Sequence, residues 1–248
     1  MQLVFGYSFP GLTFEVILHL GSILAVILYF RQDIIQLIQA FFRYLSQRNA
    51  EDRLEFMFSI YIAAATLITG LLGMVLEDIL ADSIKTPVFI ASSLVLTGFF
   101  LILIERFHKI GHRTEENMTF FDSVVVGLAQ TLAVLPGISR SGSTLIAALY
   151  AGLNRETAVR YSFLLSIPVI LGSSVLAFGD ISGGALEAMG TTALITAFFA
   201  SFLTSWIGIV WLIHFLNKGR LIYFALYCFV LAIVVVTFLE NTQTVATL

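Results

Sequence analysis

Long apolar stretches separated by short polar segments recur along the chain. Six of them approach or exceed the length of about 20 residues that a helix needs to cross a bilayer. They lie at about 14–30, 56–76, 87–105, 156–178, 190–216 and 221–239. Alternating segments of roughly ten residues, as in a transmembrane barrel, do not occur. The pattern predicts an all-α, polytopic membrane protein whose residues 1–248 form a single transmembrane domain.

Residues 31–55 carry a different pattern. Aromatic residues such as Phe41 and Phe42 alternate with polar ones such as Arg43 and Gln47. A helix with this pattern has one apolar and one polar face, which is typical of a helix lying at the membrane interface.

Segment 120–153 is apolar as well, but Pro136 and two nearby glycines interrupt it. Proline removes a helical hydrogen bond, and non-helical backbone at membrane depth is tolerated only where protein or water surrounds it. We therefore expect two half-length helices, at about 121–135 and 143–152, instead of one span.

The basic residues indicate which side of the membrane each polar segment occupies. Of the 13 lysines and arginines, eleven follow the first or third span, precede the fourth, or lie between the fifth and sixth: Arg31, Arg43, Arg48, Arg53, Arg106, Lys109, Arg113, Arg155, Arg160, Lys218 and Arg220. By the positive-inside rule this side is cytoplasmic. Segment 120–153 has basic residues on this side at both ends, so we expect a re-entrant hairpin whose tip is Leu135–Ser143. Arg140 lies at this tip and not in any of the polar segments that connect the predicted spans.

The composition agrees with a membrane protein and excludes other classes. Hydrophobic residues make up 58% of the chain and charged residues 12%, whereas soluble domains carry about 25% charged residues. The net charge of −3 gives no indication of nucleic-acid binding. The single cysteine, Cys228, lies in an apolar stretch and is expected to be a packing residue.

The polar residues of the tip predict an anion site. An arginine at membrane depth costs several kcal/mol or more, so Arg140 either binds broken-helix carbonyls or an acid, or binds an anionic ligand. A guanidinium donates two parallel hydrogen bonds to phosphate. We expect the second half-helix to begin near Ser143, so that the N–H groups of Gly142, Ser143 and Thr144 point at the tip.

Several motifs carry a family resemblance. The run "LPGISRSGST" is preceded by "GLAQ" (127–130) and followed by "GL" (152–153) and "FLLSIPVILG" (163–172). With "FEVILHLGSILAVILYFR" (14–31) and the approach "FHKI…FFDSVVVGLAQ", it resembles the undecaprenyl-diphosphate phosphatase, or bacitracin-resistance, family. The resemblance covers nearly the whole chain in order.

The resemblance implies an enzyme of the bacterial inner membrane, built as an inverted repeat with two re-entrant hairpins that meet in an outward-open cleft. Such enzymes hydrolyse undecaprenyl diphosphate to the monophosphate, recycle the lipid carrier of cell-wall synthesis, and are expected to use Mg²⁺ or Ca²⁺. The residues implied at the reacting phosphate are Arg140, Ser141, Ser139 and Thr144. Those implied in substrate binding are Gly142, Ser143, Gly137 and Gln130. Attack on phosphorus and orientation of the substrate are both open roles for Ser141.

In the family, a segment with two glutamates four residues apart and a Leu-Pro-x-Ser-Ser-Thr-Gly-His run forms the other hairpin. This chain begins just after that segment would end, so the predicted inverted repeat is incomplete. We expect the upstream reading frame to encode roughly 30–40 further residues that carry these acid and base groups. Within the chain, Glu15 and His19 lie one helical turn apart and are the acid/base candidates on the outer side. An interfacial acid and a helix-to-helix hydrogen bond are the alternative roles.

Two other functions use similar residues. A transporter of lipid phosphate or small anions also directs broken helices at an anion near the midplane, and this alternative stays open. A second class of lipid phosphatases places a histidine about six residues after its arginine and an acid four residues further on; Ile146 and Tyr150 stand there, so this class is rejected. A homodimer is compatible with the sequence.

The predicted topology can be tested with single cysteines in intact cells. Cysteines at Asp82 and Gly183 should react with an impermeant thiol reagent from outside, and cysteines at Gln47, His112 and Gly219 should not, because the basic side stays in the cytoplasm. Labelling of Gln47 from outside would reverse the orientation and the direction from which segment 120–153 enters.

Overall fold

A computed structural model describes residues 13–80, 86–107, 111–178, 191–217 and 220–246. In these ranges the chain forms nine α-helices and no strand: α1 (Thr13–Tyr29), α2 (Arg31–Gln47), α3 (Arg53–Leu80), α4 (Pro87–Phe107), α5 (Phe120–Leu132), α6 (Arg140–Tyr150), α7 (Arg155–Phe178), α8 (Thr191–Asn217) and α9 (Leu221–Ala246). Single 3₁₀ turns lie at Ala50–Asp52 and Glu115–Asn117. The all-α prediction is confirmed.

Four stretches of the described chain are long and apolar enough to cross a membrane: Ala50–Leu76, Pro87–Arg106, Arg155–Val175 and Thr192–Phe215. They coincide with four of the six predicted spans. Helices α1 and α2 meet the same test only together, although they are bent by 74°. The apolar part of α9, Leu221–Thr237, is shorter. The chain therefore has four candidate spans by length and composition among its described residues, or five with the bent pair.

Two pairs of long helices approach each other closely through glycines. On α1, a Cβ at Gly21 would lie 2.6 Å from the carbonyl oxygen of Phe198 on α8, and Ser201 donates a hydrogen bond to the carbonyl of Leu18 at 2.7 Å. On α4, a Cβ at Gly98 would lie 2.8 Å from the ring of Phe229 on α9. Small residues at the contact allow apolar helices to gain close packing where no hydrophobic effect drives them together.

The ends of four elements meet at the guanidinium of Arg160 on α7. Its Nε donates to Asp33 of α2 at 2.7 Å, and its Nη2 to Glu55 of α3 at 3.5 Å. It also pairs with Glu115, just before α5, and its Cζ lies 5.1 Å from the ring centroid of Phe58. One cation therefore fixes α2, α3 and the entry to α5 against α7.

The largest cluster of buried residues in the described chain includes residues of α3, α5, α6 and α7 and extends to α1, α2 and α8. Tyr161 is fully buried and donates a hydrogen bond to the carbonyl of Tyr61 at 2.8 Å. Its ring packs edge-on against Phe58, and Leu149 and Leu165 are buried in the same cluster. The two short helices thus rest on a packed wall formed by two long ones.

The close contact between α1 and α8 predicts a stability effect at Gly21. Gly21→Ala should lower the free energy of unfolding by about 1–3 kcal/mol, because the added methyl group meets backbone that cannot rotate away. Thermal unfolding of the purified protein in detergent measures this loss.

Gly208→Ala on α8 is the matched control, because nothing lies within 4 Å of its added Cβ. There the change should be neutral or slightly stabilising, since alanine is the better helix former by about 0.5–1 kcal/mol. Equal effects at the two glycines would contradict the close packing of α1 on α8.

Candidate functional site

Helices α5 and α6 and the connecting segment 133–139 form a helical hairpin, and Arg113 holds its two ends together. The Arg113 guanidinium donates to both carboxylate oxygens of Asp122, at 3.0 and 2.6 Å, in the first turn of α5. It also donates to the carbonyl of Ala151, directly after α6, at 2.8 Å, and to that of Asn117 at 2.7 Å. The segment therefore ends beside the point where it began.

A capping box starts α5. Thr119 accepts a hydrogen bond from the N–H of Asp122, and Asp122 accepts from the N–H of Thr119 at 2.7 Å. Burial alone would raise the pKa of the Asp122 carboxyl, but the hydrogen bonds from Arg113 and Thr119 hold this pKa below its ordinary value. The buried carboxylate is thus charged and fully partnered.

Most backbone N–H groups of the connecting segment donate short-range hydrogen bonds. The N–H groups of Ala133, Val134 and Leu135 each donate to the carbonyl three residues earlier, at 3.0–3.1 Å. Gly137 has a φ of +89°, and its Cβ would lie 2.3 Å from the carbonyl oxygen of Ile90 on α4. Only glycine fits this position without displacing α4.

Helix α6 begins at Arg140, three residues earlier than the predicted start near Ser143. Ser139 is the N-cap, and its Oγ accepts a hydrogen bond from the N–H of Gly142 at 3.2 Å. The N–H of Ser143 donates to the carbonyl of Ser139 at 2.9 Å. The prediction that these two N–H groups point freely at the tip is therefore wrong. In the first turn of α6, the N–H groups of Arg140 and Ser141 have no acceptor among the described residues, and in the connecting segment the N–H of Gly137 has none either.

The hydroxyls of the tip divide into two kinds. Ser143 donates to the carbonyl of Ser139 at 2.9 Å, and the buried Thr144 donates to the carbonyls of Arg140 and Ser141 at 3.2 Å. These hydroxyls satisfy carbonyls within the first turns of α6. The hydroxyl of Ser141 is half-buried and has no hydrogen bond to any described residue, so it is available to a ligand.

Arg140 is half-buried. Its guanidinium makes no ion pair or hydrogen bond with the described residues, unlike Arg113 and Arg160. The sequence-level alternative, an arginine bound to an acid or to helix carbonyls, finds no support in this part of the chain. A guanidinium in such surroundings needs an anion or water to replace its lost hydration.

Gln130 is a further residue of the hairpin whose polar side chain has no partner. It lies in the last turn of α5 and is 1% exposed. Neither its amide nitrogen nor its amide oxygen has a hydrogen-bond partner. A buried amide without partners costs several kcal/mol, which is unusual for a residue kept only for packing.

Residues of α3 and α4 that the sequence did not single out hold the hairpin. Thr97 of α4 accepts a long hydrogen bond from the N–H of Ser139 at 3.5 Å, and its methyl group would lie 2.9 Å from a Cβ at Gly142. Thr69 of α3 donates to the carbonyl of Gly127 at 3.1 Å. In the sequence, Thr97 and Thr69 differ from their neighbours only as hydroxyl residues in apolar helices. Many membrane helices contain such residues, so this feature does not identify a site.

Glu15 and His19 lie near the start of α1, with His19 exposed. The side chain of Glu15 lies outside the described residues. Helix α1 packs mainly against α7 and α8, whereas the hairpin packs against α3, α4 and α7. The acid/base role of this pair stays a prediction.

The described residues of the tip do not provide a set of side-chain ligands for a divalent cation. No group of three or more His, Cys, Asp or Glu side chains among the described residues could hold a metal ion. The described tip offers hydroxyls, amide groups and a guanidinium, and oxygen-rich anionic ligands are what Mg²⁺ and Ca²⁺ require. These residues do not fit such an ion on their own.

Comparison with known proteins adds the family. The family described as bacitracin resistance protein BacA matches residues 1–234. The chain is 58% identical over 245 residues to undecaprenyl-diphosphatase 2 of Halalkalibacterium halodurans, covering 98% of this chain and 88% of that protein. It is 52% identical over 239 residues to undecaprenyl-diphosphatase 1 of Shouchella clausii, covering 96% and 86%. Undecaprenyl-diphosphatase 3 of Bacillus anthracis is 35% identical over 238 residues, covering 96% and 87%.

The contact between Arg113 and Asp122 predicts how acid affects stability. At neutral pH, Asp122→Asn should lower the free energy of unfolding by about 1–3 kcal/mol, because a charge-assisted pair is lost and Arg113 keeps no carboxylate. The folded pKa of Asp122 lies below its ordinary value of 3.8. Its contribution is therefore complete above pH 3.8 and disappears as the pH falls through the folded pKa.

The thermal unfolding midpoints of the wild type and of Asp122→Asn, measured from pH 7 down to pH 2, should converge in acid. Glu116→Gln is the control, because Glu116 is exposed in the same loop and should follow the wild type throughout. A constant gap between Asp122→Asn and wild type would contradict the lowered pKa.

Proposed function

The chain belongs to the bacitracin resistance protein BacA family, and we propose that it hydrolyses undecaprenyl diphosphate to undecaprenyl phosphate and inorganic phosphate. Relatives of 58% and 52% identity over nearly the whole chain are named undecaprenyl-diphosphatases. This reaction returns the lipid carrier to cell-wall synthesis, and it accounts for bacitracin resistance at the level of the family.

The observation that carries the proposal for the site is the unpartnered guanidinium of Arg140. It lies in the first turn of α6, beside the N–H groups of Arg140 and Ser141 that lack acceptors and the unbonded hydroxyl of Ser141. A diphosphate supplies both the negative charge and the several acceptor oxygens that these donors require. The lipid diphosphate therefore binds at the tip, with Arg140 as its main ligand.

The position of the tip along α4 supports an outward-facing site. Gly137 packs against Ile90, three residues after Pro87 and so about 5 Å along α4. Gly142 packs against Thr97, about 15 Å along the same helix. The end of α4 at Phe107 is followed by the basic, cytoplasmic loop. We place the hairpin as a re-entrant segment from the cytoplasmic side of the inner membrane, within six spans, with its tip in the outer half of the bilayer.

The residues of the tip have separate roles in the reaction. Arg140 neutralises the charge on the phosphoryl oxygens, which grows in the transition state and makes fixed donors effective. Ser141 is the free hydroxyl beside it and contacts the reacting phosphate. Ser139, Ser143 and Thr144 hold the first turns of α6, and Gly137 and Gly142 let the tip lie against α4.

Glu15 or His19 would supply the acid or base. The use of Mg²⁺ or Ca²⁺ stays a prediction. The described tip alone does not provide the ligands of such an ion.

One observation favours a second function. The described tip contains no carboxylate or imidazole, so it can bind a phosphate without supplying general acid or base catalysis. A protein that binds or transports lipid phosphate would need only the donors of Arg140, Ser141 and the start of α6. Phosphate release separates the two functions.

Arg140→Lys tests the bidentate contact. Lysine keeps the charge but cannot donate two parallel hydrogen bonds, so phosphate release from undecaprenyl diphosphate in detergent should fall by roughly 10²-fold or more. Arg53→Lys is the control, since Arg53 is exposed at the start of α3 and should keep full activity. Near-normal turnover by Arg140→Lys would remove Arg140 from this role.

Gln130→Leu tests whether the orphaned amide is kept for function. Replacing a buried, unpartnered amide with an apolar side chain of similar size should leave thermal stability unchanged or raised, while activity falls by roughly tenfold if the amide binds substrate. Ser162→Ala is the matched control, because the Ser162 hydroxyl on α7 is also buried without a partner. It should gain stability and keep full activity. A Gln130→Leu protein with full activity would make the amide irrelevant to the substrate.

A further inference from the structure

Helix α2 divides into three faces, and the residues of each differ in kind. At about 100° per residue, one face points at the protein and contains Leu37 and Ala40, which are 7% and 1% exposed. A second face is polar and exposed, and its residues are Gln32, Gln36, Gln39, Arg43, Ser46 and Gln47. The third is apolar but 49% to 65% exposed, and its residues are Ile35, Ile38, Phe42 and Leu45. No described residue covers this third face.

The direction of α2 places these faces relative to a bilayer. Helix α2 is bent by 74° from α1. If α1 crosses the membrane near its normal, α2 runs close to the membrane plane. When a helix in that plane packs against the protein with one face, a second face points at the acyl chains and a third points at water. The exposed apolar and exposed polar faces of α2 are disposed in this way.

Side-chain contacts fix α2 in this orientation. Asp33 is bound to Arg160 at 2.7 Å, and Gln36 donates to Glu55 at 2.9 Å. Arg43 pairs with Asp52 at 2.7 Å. These contacts all lie on the protein-facing or polar side of α2, so the apolar face cannot turn inward without breaking them.

The charges around α2 favour an anionic surface. Its acidic neighbours Asp33 and Asp52 are engaged in ion pairs, and Glu51 is exposed without an ion pair among the described residues. Arg31, Arg48 and Arg53 are exposed at its two ends, without a carboxylate partner in the described chain. Juxtamembrane arginines are attracted to the negative surface of anionic lipids.

A second copy of the chain is a poorer occupant. A stable interface buries about 800 Å² on each partner, whereas the apolar face has four side chains between a polar face and the protein.

We propose that α2 lies in the interface of the cytoplasmic leaflet, with Ile35, Ile38, Phe42 and Leu45 among the acyl chains and the flanking arginines at anionic head groups. The side of the membrane follows from the basic residues, and the proposal does not depend on the phosphatase reaction.

Spin labels at single cysteines test this in the full-length chain. Labels are placed at Ile38 and Phe42 on the apolar face and at Gln32 and Gln39 on the polar face, in a Cys228→Ala background, since Cys228 is the only native cysteine. All four positions are exposed, so the labels leave the packing intact. The protein is placed in vesicles of phosphatidylethanolamine and phosphatidylglycerol. Collision of each label with oxygen, which concentrates in lipid, and with a water-soluble nickel chelate is then measured.

The ratio of oxygen to nickel collisions should be several-fold higher at Ile38 and Phe42 than at Gln32 and Gln39. Equal ratios on the two faces would overturn the proposal, because the helix would then stand in water. Low collision with both reagents at Ile38 and Phe42 would also overturn it, because protein would then cover the face. In vesicles of phosphatidylcholine alone, the ratio at Phe42 should fall towards that at Gln39. An unchanged ratio would overturn the assignment of anionic head groups.

Discussion

The bidentate contact between Arg113 and Asp122 is the interaction on which the hairpin depends. Two short helices that form a hairpin must bring the start of the first close to the end of the second. This loop closure costs conformational entropy. Arg113 joins the start of α5 to the carbonyl after α6. With the ends fixed, the position of the tip follows from the lengths of the two helices and from their packing on α3 and α4.

Most polar groups of the hairpin are satisfied, which makes the exceptions informative. The capping box, the short-range bonds of segment 133–139 and the back-bonded hydroxyls of Ser143 and Thr144 provide partners for the broken backbone. The unsatisfied groups are Arg140, Ser141 and Gln130, all in or next to the tip. A hairpin that satisfies most of its polar groups and leaves these three residues unpartnered has retained a site at the expense of stability.

The sequence predicted what local chemistry decides. The apolar runs predicted the four candidate spans and also the starts of α1 and α9. Pro136 predicted the break between the two half-helices. The start of α6 was misplaced because Ser139, Ser141 and Ser143 are equally good N-caps in sequence, and only the contact with Thr97 and Gly142 selects Ser139. Arg113 looked like one more cytoplasmic basic residue, since its partners at Asp122 and Ala151 are brought to it only by the fold.

The depth of the tip has an energetic consequence for a lipid with an eleven-unit prenyl chain. Moving such a chain from the bilayer into water would cost on the order of tens of kcal/mol, at about 0.8 kcal/mol for each methylene group. In the proposed orientation, the tip lies about 5 to 15 Å along α4 from its outer end, within the outer half of a hydrocarbon core about 30 Å thick. The diphosphate can reach Arg140 there while its tail remains dissolved in the membrane, so no extraction step is needed, and diffusion within the plane of the bilayer delivers the lipid.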